Sequence, residues 1–127
     1  MKPYLAAAIL FAAPVLTSSV ALAQSPDIAR TCEAVARNFE MVKAVKVGIV
    51  QSFPELKPPG ARLTYSTRLD AKDEDIGDMI ECQFKEATAP LTLVRFCLGT
   101  TCYSADEKNP EHRRRFEEAQ SLLAREP

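Results

Sequence analysis

Cys32, Cys82, Cys97 and Cys102 carry the most versatile chemistry in this 127-residue chain. A cysteine can hold a metal, attack as a thiolate or close a disulfide, and its spacing and compartment decide which. Cys97 and Cys102 bracket the four residues Leu98-Gly99-Thr100-Thr101. That is not the two-residue gap of a thioredoxin-like redox motif, and no histidine follows as in haem attachment. No pair of cysteines has a two-residue spacing, and a four-cysteine zinc site without one is not expected in an exported chain. Structural disulfides are therefore expected, with a redox or hydrolytic enzyme using Cys97–Cys102 kept as an alternative.

Residues 70–81 hold six carboxylates. The ends, Asp70 and Glu81, match the first and last ligand positions of a twelve-residue calcium loop. The interior departs from it, because Lys72 stands at the third position and Asp75 stands where the sharp turn needs glycine. An ion site of calcium type would use Asp73, Asp75, Asp78 and Glu81. The expectation is instead a solvated acidic connection, with no metal and no cofactor.

His112 is the only histidine. It is expected as an exposed side chain, since the sequence singles out no nucleophile or orienting carboxylate for it. Arg113-Arg114-Arg115 has Glu111 before it and Glu117-Glu118 after it, so it reads as a helix face laced with ion pairs. Arg62 and Arg68, with Thr64 and Ser66 between them, are the candidate ligand-binding residues. An open sheet face presenting them could recognise a carboxylate or a protein. No glycine-rich phosphate loop, nucleophile elbow or H-E-x-x-H zinc motif occurs.

These residues need elements to hold them. Ser25-Pro26-Asp27 reads as a helix start. Ile28, Cys32, Val35, Phe39 and Val42 then recur at helical spacing, which predicts a helix over 26–41. Val45, Val47 and Ile49 alternate as a strand does. The segment from Phe53-Pro54 to Pro58-Pro59-Gly60 turns the chain. Residues 62–69 form a second strand with Leu63, Tyr65 and Leu69 on one face. A third strand turns Ile80, Cys82 and Phe84 inward, and a fourth spans Leu91–Leu98 with Val94, Phe96 and Leu98 inward. Gly99-Thr100-Thr101 is a tight turn before Cys102 and Tyr103. Asn109-Pro110-Glu111 starts a last helix with an apolar stripe of Phe116, Ala119, Leu122 and Leu123. The order α-β-β-β-β-α predicts an α+β two-layer sandwich, a four-stranded antiparallel sheet with both helices on one face.

Facing then ranks the three possible pairings of the cysteines. Cys32 and Cys82 both point at the helix–sheet interface, and Cys97 and Cys102 flank a hairpin. Cys32–Cys82 with Cys97–Cys102 is favoured. Cys82–Cys97 with Cys32–Cys102 would bury Arg95, at a cost.

Residues 1–23 resemble a cleaved export signal. Lys2 is followed by an uncharged run from Tyr4 to Ala23, ending in the small-x-small motif Ala21-Leu22-Ala23. Pro14 and Thr17-Ser18-Ser19 make the run a poor membrane span. The remainder, residues 24–127, is expected as one small domain, periplasmic or secreted, with no span after cleavage. With 16 basic against 17 acidic residues overall, bulk charge offers no drive toward nucleic acid. A non-enzymatic binding or accessory domain of the bacterial periplasm or extracellular space is expected, its partner a protein, an envelope component or a small anion.

Overall fold

The computed structural model describes residues 26–126, with residues 3, 10 and 12–14 besides. The rest of the expected export signal, and the expected helix cap Ser25, lie outside the described residues. The elements are α1 (Pro26–Glu40), β1 (Lys46–Phe53), β2 (Gly60–Ser66), a 3-10 turn (Asp73–Asp75), β3 (Asp78–Phe84), β4 (Leu93–Leu98), β5 (Thr101–Ser104) and α2 (Pro110–Leu123). The strands form one antiparallel sheet in the order β1-β2-β3-β4-β5. Both helices pack on one face of it.

The sheet thus has five strands, not four. Leu98 pairs with Thr101 across a two-residue turn, Gly99-Thr100, and Gly99 has a φ of 59°. A glycine at the first position of a two-residue hairpin supplies that conformation without a Cβ clash. β5 is only 4 residues long, too short for its alternation to stand out.

The expected helical stripe builds the core. Ile28, Cys32 and Val35 on α1 are fully buried against Leu63 and Tyr65 of β2 and Ile80, Cys82 and Phe84 of β3. Two bulges interrupt the simple alternation. In β1, Val47 faces Tyr65 and Val50 faces Leu63, so Gly48 and Ile49 together oppose Thr64. The extra residue moves Val50 onto the core side and leaves Ile49, expected inward, 68% exposed. A Cβ at position 48 would stand 2.6 Å from Thr64 Oγ1. In β4, Phe84 pairs with Leu93 but Gln83 with Arg95, so Val94 is the extra residue and Leu93 takes the buried place. β2 ends at Ser66, earlier than expected, which leaves Leu69 outside the sheet and 62% exposed.

Helix α1 ends in a Schellman motif. Val42 N–H donates to the Arg37 carbonyl at 3.1 Å and Met41 N–H to the Asn38 carbonyl at 3.3 Å. The residue held in the left-handed conformation is Met41, at φ 58°, where glycine is the usual occupant. Met41→Gly is expected to stabilise the fold by about 1 kcal/mol, read as a higher urea midpoint with unchanged slope. Helix α2 is capped by Asn109 Oδ1, which accepts from the backbone N–H groups of Glu111 at 2.9 Å and His112 at 3.4 Å.

Tyr65 is fully buried, and its hydroxyl donates to Glu40 Oε1 at 2.8 Å. Burial first, and then that hydrogen bond, push its pKa well above the usual tyrosine range. The phenol therefore ionises earlier in the unfolded chain than in the folded one. The stability linked to Tyr65 is complete below about pH 10 and falls as the pH rises beyond it. Tyr65→Phe is expected to flatten the alkaline decline in stability, as measured by urea unfolding across that range.

Candidate functional site

Cys32 is joined to Cys82 across the helix–sheet interface, with both residues fully buried. Cys97 is joined to Cys102, its direct cross-strand partner in the β4–β5 hairpin. The latter bridge lies on the sheet face away from the helices. It ends a row running Gln51, Arg62, Glu81, Cys97 and Cys102 across all five strands.

The structure does not bring Arg62 and Arg68 together. Arg62 lies within that row and donates to Glu81 Oε2 through Nη2 at 2.8 Å and Nε at 3.2 Å. Arg68 stands beyond the end of β2 and pairs with Asp70 at 3.6 Å. The sheet face they were to share is open near Arg62, but its central cation is already matched to a carboxylate.

The acidic segment also fails to converge. Asp73 and Asp75 lie on the 3-10 turn, Asp78 opens β3, and Glu81 belongs to the ion pair with Arg62. Among the described residues, no three acidic, histidine or cysteine side chains gather as a metal site would need. The carboxylates from Asp70 to Asp78 are exposed, as expected of a solvated connection, while the chain that carries them is anchored at a few points. Ala71 is buried, Lys46 Nζ donates to its carbonyl and lies 3.8 Å from Asp73 Oδ1, and Ile76 reaches the space above Gly48.

His112 is half-buried rather than exposed, with its ring 5.0 Å from that of Tyr103. The arginine run divides its tasks. Arg113 donates to the carbonyls of Glu107 and Lys108. Arg114 pairs with Glu111 and Glu118, and its hydrogen bond holds the Glu111 carboxyl below the usual range. Arg115 turns the other way. Its guanidinium carbon lies 4.1 Å above the Phe39 ring, and Nη2 donates to the Phe39 carbonyl at 3.2 Å.

Arg115 also lines a groove between the end of α1 and the flank of α2, about 620 Å³ in volume. Asn38, Phe39 and Met41 form one wall. Arg115, Leu122 and Arg125 stand along the other at helical spacing. Leu122, expected in the core stripe, is instead 40% exposed here, because the buried flank of α2 is formed by Phe116 and Ala119. Met41 is 85% exposed at the lip. The Nδ2 of Asn38 is buried and has no hydrogen-bond partner. Such a buried, unpaired donor costs the fold free energy.

The groove joins residues more than seventy positions apart, Asn38 and Arg115 for example. Its trace in the sequence is faint: a methionine where a helix terminator belongs, and arginines in register with a leucine. No family model, curated protein or solved structure matches this chain.

Proposed function

We propose that this chain is an exported, non-enzymatic binding domain whose ligand sits in the groove between its two helices. The observation that carries this reading is the groove itself, which sets the exposed side chains of Met41 and Leu122 beside those of Arg115 and Arg125. A few convergent polar groups in a largely apolar concavity are what small-molecule sites have in common. Two disulfides indicate an oxidising compartment. No described helix is long and apolar enough to cross a membrane. Together with the expected export signal over residues 1–23, the disulfides support a periplasmic or secreted location. Glu81 and Arg62 satisfy each other on the sheet face, which supports the groove rather than that face as the site.

The test is an isotope-labelled titration with an extract of envelope small molecules. Chemical shifts of the Met41 methyl, the Leu122 methyls and the Asn38 side-chain amide are expected to move together and saturate. Shifts confined to Ile49 and Met79, on or beside the open sheet face, would overturn the groove as the site. An unchanged spectrum would do the same.

A further inference from the structure

We infer that the Cys97–Cys102 bridge is a thiol-exchange site, entered by a small external thiol at Cys102 while Cys97 leaves, whatever fills the groove. All four cysteines are paired, so the chain holds no thiol of its own to attack either bridge. Cys32–Cys82 is fully buried and out of reach. Cys97–Cys102 is partly exposed, on the sheet face away from the helices. Its two sulfurs are not equivalent. A thiolate attacks a disulfide in line with the sulfur–sulfur bond, from the side opposite the leaving sulfur. The bridge crosses from β4 to β5. β5 is the last strand of the sheet, so no strand stands beyond Cys102. On the other side Cys97 faces Glu81 of β3, a carboxylate held by Arg62, which obstructs and repels an incoming thiolate.

Arg95 favours the same direction. It stands two residues before Cys97 on the same face of β4, exposed and without an ion-pair partner among the described residues. Its charge stabilises the negative charge that grows on the Cys97 sulfur, and a better leaving thiolate departs faster. The step balances. The incoming sulfur bonds to Cys102 Sγ, the Cys97–Cys102 bond breaks, and its electron pair stays on Cys97 Sγ, which takes a proton from water. A second thiol then displaces Cys102, which leaves the bridge reduced and the two external sulfurs joined. Opening does not require the hairpin to come apart. Behind the bridge, on the inner face, Phe96 pairs with Tyr103 and their rings stack at 4.9 Å. The Tyr103 ring is further held by Phe39 at 5.2 Å and His112 at 5.0 Å. The freed thiols therefore stay opposite each other, and an oxidant can close them again.

The experiment exposes the purified, oxidised protein to reduced glutathione without denaturant, quenches with N-ethylmaleimide and locates both adducts by fragment-ion mass spectrometry. Glutathione on Cys102 with maleimide on Cys97 is expected, at least about tenfold over the reverse placement, while Cys32–Cys82 stays closed. Far-ultraviolet dichroism should be unchanged after opening, and oxidised glutathione should restore the bridge. Arg95→Gln, an exposed change, is expected to slow the reaction about threefold at low salt. The difference should vanish at high salt, as a charge effect does and a structural one does not. Glutathione on Cys97, or an even split, would overturn the assigned direction. Opening of both bridges together, at the rate of global unfolding, would overturn the exchange site itself. Native rates for Arg95→Gln at low salt would overturn the part given to Arg95.

Discussion

Replacing Cys32 and Cys82 together with alanine is expected to lower stability by about 4 kcal/mol, the value the chain-entropy model gives for a loop of this length. The bridge spans 50 positions and ties α1 to the centre of the sheet, with both cysteines fully buried. A domain of this size holds only about 5–15 kcal/mol in total, so the variant should sit near the edge of folding at 37 °C. The Cys97–Cys102 bridge closes a separation of only 5 positions, so the Cys97→Ala, Cys102→Ala variant should lose about 2 kcal/mol. Urea midpoints of the two double variants check the order, and the reverse order would contradict the chain-entropy account. Access to reductant should follow burial too. Cys97 and Cys102 are partly exposed, so a mild dithiol should open their bridge while Cys32–Cys82 stays closed until the domain unfolds.

The helical stripe of α1 was legible because Ile28, Cys32 and Val35 repeat at the helix period and meet a flat sheet. The alternation of Leu63 with Tyr65, and of Ile80 with Cys82 and Phe84, was legible for the same reason. Alternation ceased to inform where the chain inserted a residue. At Gly48-Ile49 and at Val94 the period resets, and only pairing with the neighbouring strand shows it. β5 was too short to declare itself beside a turn glycine. At Arg62 the missing information was of another kind. Facing placed Arg62 correctly on the outer side, but Glu81 comes opposite it only through the β2–β3 register, and strand order was not readable. The groove was least legible of all, because it is made by the angle at which two helices from opposite ends of the chain meet.

Phe96→Ala is the substitution expected to damage both the core and the groove. Phe96 is fully buried in the middle of an aromatic cluster. Its ring stacks on Tyr103 at 4.9 Å, meets Phe39 edge-on at 5.8 Å and lies 6.3 Å from Phe116. Truncating such a ring costs about 3–5 kcal/mol, through lost transfer free energy and the cavity left behind. Phe39 is the link to function. It rests on Phe96 from below and carries the Arg115 guanidinium above, so the floor of the groove is only as firm as the ring under it. Phe96→Leu fills much of the same space and should cost clearly less, while still removing the stack on Tyr103. Urea unfolding of both variants, with near-ultraviolet dichroism reporting the Tyr103 environment, separates lost volume from lost ring contact. A cost below about 1 kcal/mol for the alanine variant would mean that the cluster does not pack as described. If the cost is as expected, the leucine variant becomes the informative one. It should fold, yet bind more weakly than the native chain, because Phe39 and Arg115 would no longer be held by an aromatic edge.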